Sequence, residues 1–309
     1  MPHLKVVKPG LQTTIQDAGR LGYEHLGIMV GGWLDDYAGR WANRLLHNAL
    51  GEAVLEMTLV GPELVAEDEG WLALTGADFG AMVAGQPWLP GSTWYVHARD
   101  RIRFGVAKNG VRGYLAGAGG ILGDQVLGSC STDLTAQFGG MHGRALQTGD
   151  VVEYGGGPGT LVSAPVNTVV VDKGLRVLPG SHRNRIPSEV WERLIHGSFR
   201  VNSRSDRVGI RLDGEKPPYT ISASESISEG MAIGSIQAPP SGELLILTKS
   251  RGSIGGYPTL GHVITADWPI LAQLRPRDVV TFITVDAEQA HNVLLEREKL
   301  LSLPLVAVR

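Results

Sequence analysis

Residues able to do chemistry cluster early in the chain. The stretch "TTIQDAGRLGYEHLG" holds an amide, Gln16, a carboxylate, Asp17, and a guanidinium, Arg20, among glycines. A carboxylate accepts, a guanidinium donates from a planar fork and an amide does both, so one turn can build a fixed hydrogen-bond lattice. Such a lattice holds either a ligand or only its own loop. "GSCSTDL" adds Ser129, Ser131, Thr132 and Asp133, side chains that bind nearby backbone. "VLEMTLVGPEL" sets Glu56 in an apolar run. If buried, it must be paired or hold its proton more tightly, and if it faces solvent it needs neither. Asn43 and Asn48 sit in a helical pattern despite poor helix propensity. A buried amide there orients a substrate carbonyl or braces a neighbouring strand. Further on, Asp206 and Arg207 precede a strand in "NSRSDRVGIRL", and Gln237 stands ahead of two prolines in "GSIQAPPSG".

Several common chemistries are missing. The chain has no G-x-x-x-x-G-K-[ST] phosphate loop, no H-E-x-x-H, no paired-Cys zinc spacing and no G-x-S-x-G elbow, so no metal is expected. The single cysteine, Cys130, is either a nucleophile or a small buried apolar residue.

The elements that must position these groups are mostly strands. "LKVVKPG" ends at a Pro-Gly turn, and "AVLEMTLVGPELVAEDEGWLALTG" breaks at Gly61-Pro62 and at "EDEG". "AMVAGQPW" reads as a hairpin turning at Gly85, and Asn109-Gly110 predicts a second hairpin. Helices are expected in "LDDYAGRWANRLLHNAL" with Gly51 as its stop, in "SEVWERLI" capped by Ser188, in "DAEQAHNVLLEREKLL" with an Asp286/Gln289 capping box, and from about Asp267 in "TADWPILAQL". "ALQTGDVVEY" echoes "QLRPRDVVTF", a domain-scale repeat that fits two similarly built β-rich halves. The small-residue run at 155–167, "GGGPGTLVSAPVN", is the expected linker, giving domains at 1–157 and 168–309.

The chain has 309 residues, 42 of them Gly, and a net charge of −3. That length suits two domains, and the charge gives no reason to expect nucleic acid or an anionic membrane. One cysteine fits a reducing compartment, and no apolar stretch suits a signal peptide or membrane helix, so a cytoplasmic protein is expected.

The order of the loops resembles one family. "PGLQTTIQDAGRLGYEHLGI", "GGWLDDYAGRWANRLLHN", "LEMTLVGPEL", "LTGADFGA", "GYLAGAGGI", "LGSCSTDL", "LRVLPGSHR", "SRSDRVGIRL", "GSIQAPPSGELLIL" and "GGYPTLGHVITAD" are similar to the C subunits of 5-oxoprolinases. That family is also called the Kip antikinase-binding subunit or allophanate hydrolase subunit 2, and it is related to the urea carboxylase carboxyltransferase domain. The resemblance implies a mainly β fold with a few helices, built as two cyclophilin-like β-barrel subdomains. It implies a subunit of an ATP-dependent complex that opens 5-oxoproline to glutamate. The implied partners are a Kip-inhibitor-like B subunit together with a lactam-utilisation-like A subunit. Two alternatives stand beside it: a non-catalytic regulatory subunit that binds a Kip-inhibitor-like protein, and a biotin-dependent carboxyltransferase acting on urea or a related amide. The chain has no M-K-M biotin-attachment site. The family's recurrent polar positions fall on Asp35, Asn43, Glu56, Arg207 and Gln237, taken as catalytic. Those on Gln16, Asp17, Arg20, Asn48, Ser129, Thr132, Asp206 and Tyr257 are taken as substrate-binding, and Ser253 is taken with them.

The chain departs from the family where a D-R-Q-T-T-G-G-Y-P-K pattern reads "SRGSIGGYPT": Ser250, Gly252, Ser253-Ile254 and Thr259 are changed. Cys130 replaces an Arg, and Trp33 stands where a small residue is usual. Gly255, Gly256 and Pro258 keep the loop's shape while its lining changes, which reads as altered specificity.

Overall fold

Strands covered on one face alternate, and strands covered on both do not. His3–Lys8 alternates buried with exposed positions, whereas Arg112–Gly117 is buried at every position. The computed structural model, which describes residues 1–162, 174–180, 183, 186–214, 228–302 and 305, shows why. Arg112–Gly117 pairs on one edge with Val54–Thr58 and on the other with Gly70–Gly76, in the middle of a five-stranded sheet completed by Gln12–Gln16 and Ser92–Val96. The amphipathic helix α1, Asp36–Leu45, lays Ala38, Ala42 and Leu45 against Val54, Ala73, Tyr114 and Ala116 on one face of that sheet. On the other face Leu55, Met57, Leu72, Leu74 and Leu115 meet Leu4, Val6, Leu64, Val83 and Ile102 of a six-stranded sheet.

These sheets belong to the first of two compact units, which comprises Met1–Arg20, Gly31–Val169 and Leu301–Arg309. The second comprises Leu21–Val30 and Val170–Leu300. Its centre is a closed seven-stranded barrel. Gly174–Pro179 pairs antiparallel with Thr259–Val263 and parallel with Val279–Thr284, which closes the ring. Leu175, Val177, Ile210, Leu212, Ile236, Ile246, Val280 and Phe282 fill it.

The helices appear where the periodicity places them: α1, α2 (Ser188–His196), α3 (Trp268–Gln273) and α4 (Ala287–Ser302). The capping box of α4 is present, with Gln289 N donating to Asp286 Oδ1 at 2.8 Å and Asp286 N to Gln289 Oε1 at 3.0 Å. Three expectations need correction. The helix α1 stops short of Gly51, because His47 takes a left-handed φ of 57° just past its end. Ser188 begins α2 without capping it, since Pro187 holds the cap position. Asn109-Gly110 turns the chain without making a hairpin. Arg101–Arg103 pairs with Glu63–Ala66 and Ala81–Val83, and Arg112–Gly117 lies in the other sheet. Asn109 instead receives the Asp78 N–H on its side-chain oxygen at 2.8 Å. Of the expected linker, Thr160 accepts from Thr93 Oγ1 at 2.7 Å and Val162 N donates to it at 2.8 Å, while 163–167 lie outside the described residues.

The sequence echo has a structural cause. Asp150 and Asp278 each close a turn by accepting the N–H of the residue three before, Gln147 or Arg275, both at 2.7 Å. Gly149 and Arg277 precede them at φ of 94° and 75°, and a strand follows at once. Asp100 builds a third copy, with His97 N at 2.8 Å and Arg99 at φ 74°.

Close packing leaves no room for a side chain at Gly117. A Cβ on Gly117 would lie 2.6 Å from the ring of the fully buried Tyr154. Gly117→Ala is expected to cost about 1–3 kcal/mol by overpacking. Gly51→Ala, whose Cβ meets only Ala18 at 4.0 Å, is expected to stay within about 0.5 kcal/mol. Urea unfolding of the two variants checks the difference.

Candidate functional site

In the first unit, three polar clusters grow from strand ends and the N-terminus of α1. At the first, the strand Gln12–Gln16 delivers Asp17 to the loop 129–133. One Asp17 oxygen accepts the Ser129 and Ser131 hydroxyls, both at 2.6 Å, and Gly19 N at 2.8 Å. The other accepts Cys130 N at 2.6 Å. With both oxygens engaged, Asp17 organises a loop. Gln16 and Thr132 join the same lattice. Gln16 Nε2 donates to the Thr132 carbonyl at 3.1 Å, and Thr132 Oγ1 donates to the Ile15 carbonyl at 2.9 Å. Arg20 lies beside them, 1% exposed, donating to the Ser131 carbonyl and stacked 4.7 Å from the Phe138 ring centre. Its Nη1 and the Gln16 Oε1 are buried without partners among the described residues. Burial lowers the Arg20 pKa, with the charges of Asp17 and Asp133 opposing that shift. Native interiors rarely leave such groups unmatched.

The second cluster centres on Glu56, buried opposite Tyr114 in the adjacent strand. Glu56 Oε2 accepts Leu34 N and the Tyr114 hydroxyl, both at 2.9 Å, and Arg112 Nε lies 3.6 Å from Oε1. Tyr114 Oη in turn accepts Asp35 N at 2.9 Å. Burial, then the charges of Glu56 and Asp35, hold the Tyr114 phenol well above its ordinary range, so it stays a donor. Asp35 is also the α1 cap, accepting Ala38 N at 2.9 Å. Reading the sequence alone misses Arg112 and Tyr114. The two-residue period of "RGY" puts both on one face of their strand, and the register with Val54–Thr58 brings that face to Glu56.

The third cluster braces a glycine loop. Asn43 Nδ2 donates to the Glu52 carbonyl at 2.7 Å. Asn48 links Asn43 Oδ1 at 3.0 Å to the Gly117 carbonyl at 2.9 Å and accepts Gly119 N at 2.8 Å.

In the second unit, Asp206 accepts Val208 N at 2.8 Å and Gly209 N at 3.1 Å, shaping the turn that holds Arg207. Arg207 is buried, and its carbonyl receives Thr248 Oγ1 at 2.5 Å and Ser250 N at 2.9 Å. Gln237 Nε2 donates to Met231 Sδ at 2.9 Å. The Ser253 carbonyl accepts Met231 N at 2.9 Å, and Tyr257 is exposed. Ser235 Oγ lies 3.1 Å from His262 Nδ1, and burial lowers the His262 pKa. Back in the first unit, burial, then Asp17, raises the Cys130 thiol, which keeps it protonated and favours its reading as a packing residue. Among the described residues no group of three or more His, Cys, Asp or Glu side chains is placed to hold a metal ion. None of their helices is long and apolar enough to cross a membrane. A surface cavity of about 660 Å³ beside Lys8, Gly61 and Phe104 contains none of the sequence-predicted residues.

These contacts can be tested at two positions. Asp17→Ala strands four donors and is expected to cost about 3 kcal/mol in urea unfolding, with Asp17→Asn costing less. His262 has a folded-state pKa below its unfolded value of about 6.5, so the unfolded chain takes the proton first. Its contribution is present above that value and fades as pH falls through the folded pKa. His262→Gln should therefore shrink the drop in Tm between about pH 7.5 and about pH 5.5.

Comparison with known proteins agrees with this architecture. Residues 26–284 match the model of the carboxyltransferase domain, subdomain A and B. The C subunit of 5-oxoprolinase from Escherichia coli K12 is 34% identical over 288 residues, covering 93% of each chain. A crystal structure of TTHA0988 superposes with a TM-score of 0.82 at 36% identity, over 92% of this chain and 56% of that one. The K. lactis urea amidolyase superposes with a TM-score of 0.90 at 27% identity, over 97% of this chain but 20% of that one. The chain thus spans little more than half of the first of these solved proteins and a fifth of the second. It belongs to the carboxyltransferase-domain family, subdomains A and B.

Proposed function

We propose that this chain is a subunit of an ATP-dependent 5-oxoprolinase-type hydrolase that opens 5-oxoproline to glutamate. The observation that carries the reading is the 34% identity to the C subunit of 5-oxoprolinase over 93% of both chains. Its partners are a Kip-inhibitor-like B subunit together with a lactam-utilisation-like A subunit. A lactam is a poor electrophile. Transfer of the ATP γ-phosphoryl group to the lactam oxygen makes that oxygen a leaving group. Water then adds to the carbonyl carbon and the C–N bond breaks, which leaves a free amine and an acyl phosphate, and a second water displaces phosphate to give the carboxylate. Negative charge develops on oxygen throughout, and buried guanidinium groups stabilise it in a low-dielectric site. Arg207, buried in the second unit, is the group of this chain assigned to that task. Glu56, tied to Tyr114 and near Arg112, serves as a fixed charge that positions the α1 entry, and Asp35 caps that helix.

The urea amidolyase of Lachancea kluyveri, 28% identical over 94% of this chain, supports a second reading, biotin-dependent carboxylation of urea. One experiment separates them. The chain is co-purified with the neighbouring subunits and given 5-oxoproline with ATP, or urea with a carboxybiotin carrier. Glutamate release that vanishes when this chain is left out is expected. Arg207→Ala should lower kcat/KM about 100-fold, near the loss of one charge-stabilising donor. Urea carboxylation with no glutamate release would replace the first reading by the second.

A further inference from the structure

Three buried polar groups in the second unit keep hydrogen-bonding capacity that the chain does not use. Arg251 is 7% exposed. Its Nε donates to the Met231 carbonyl at 2.8 Å, and no carboxylate among the described residues lies within ion-pair distance of its guanidinium. Burial lowers its pKa, and the more distant Glu24 only partly opposes that. A guanidinium taken out of water without a counter-charge is costly to the fold. Thr259 is 1% exposed, and its Oγ1 has no partner among the described residues. Gln237, 4% exposed, spends an amide N–H on the Met231 thioether, a weak acceptor.

One strand pair and one methionine link the three groups. Gln237 and Thr259 are opposite one another on paired antiparallel strands, which puts their side chains on one face. Their neighbours Ile236 and Leu260 pack into the barrel core, so that face is the outer one. Met231 joins Arg251 to the pair: its carbonyl holds the guanidinium and its sulfur holds the amide. Gly255 borders the same spot. A Cβ there would lie 3.0 Å from Met231 Cγ and 3.1 Å from Gln237 Nε2.

We propose that Arg251, Gln237 and Thr259 form the seat of a small ligand that carries a carboxylate beside an amide. The guanidinium takes the carboxylate through paired N–H···O bonds. Gln237 and Thr259 each donate and accept, which matches the C=O and N–H of an amide. A lactam acid such as 5-oxoproline has both groups, whereas urea lacks the carboxylate. Naming 5-oxoproline rests on the function proposed above; the seat itself does not. Arg251 and Thr259 thereby become specificity-determining residues.

Calorimetric titration of the full chain tests this with two matched pairs: 5-oxoproline against its carboxamide, and N-acetylglycine against N-acetylglycinamide. The acids are expected to bind about 10- to 100-fold more tightly than the neutral amides. That preference should vanish in Arg251→Gln and partly return in Arg251→Lys. Thr259→Val should weaken acid and amide alike by about tenfold. Equal binding of acid and amide to the unaltered chain, or no binding of any of the four, overturns the seat, and neither outcome depends on a variant folding. Binding of N-acetylglycine without 5-oxoproline keeps the seat and sinks the 5-oxoproline reading. Glutamate release by the assembled complex with an unselective chain keeps that reading and sinks the seat.

Discussion

The loop 129–133 is shaped by a carboxylate that reaches it from more than a hundred residues away in sequence. Asp17 leaves its strand and accepts two hydroxyls and a backbone N–H from Ser129, Cys130 and Ser131, as well as its own turn's Gly19 N–H. Hydrogen bonds to an ionised acceptor are strong, and each of these donors would be costly to bury alone. With Asp17 fixed, the Ser131 carbonyl meets Arg20 and the Thr132 carbonyl meets Gln16. The side chains that remain unmatched, Arg20 Nη1 and Gln16 Oε1, are therefore held in place by neighbours that are fully matched. Rigid support around a few unsatisfied groups is what a binding site requires.

The same division recurs at Glu56. Its charge is spread over a backbone N–H, a phenol and a nearby guanidinium, and this ties the start of α1 to the sheet below. Breaking such a buried set by removing one member is far more damaging than the net worth of the set suggests, because the others are left uncompensated. Asp35 and Glu56 thus fix the entry of α1, with carboxylate oxygens that accept from Ala38 N, Leu34 N and Tyr114 Oη.

How much of this was legible in the sequence depended on the range of each interaction. The capping box of α4 and the hairpin at Gly85 are local, and both appear where the residue types put them. The Asp150/Asp278 echo pointed to a real repeated device, an aspartate closing a left-handed turn before a strand, but its third copy at Asp100 lacks the "DVV" text that makes the other two visible. Asn109-Gly110 failed as a hairpin because sheet membership is decided by burial across the whole unit, and Arg112–Gly117 is claimed by Val54–Thr58 and Gly70–Gly76. The partners of Glu56 were also beyond reach. Tyr114 and Arg112 reach it only through a strand register that no spacing in one chain encodes.

The positions where the chain departs from its family show which parts of a loop are free to change. Cys130 contributes its backbone N–H to Asp17, while its side chain packs against the core. Ser250 contributes an N–H to the Arg207 carbonyl, and Ser253 a carbonyl to Met231 N. Gly252 makes no close approach, its nearest neighbour for a Cβ being the Ile254 carbonyl at 3.6 Å. At Cys130, Ser250 and Ser253 main-chain atoms hold the loop, so the side chain can be exchanged without moving it. Thr259 differs, because its hydroxyl is buried with nothing to bind. A hydroxyl in that position stabilises nothing in the free chain, and a buried polar group without a partner is retained at a cost to folding. That cost is offset only when something else supplies the hydrogen bond, a demand that the side chain of Cys130, packed against the core, does not make.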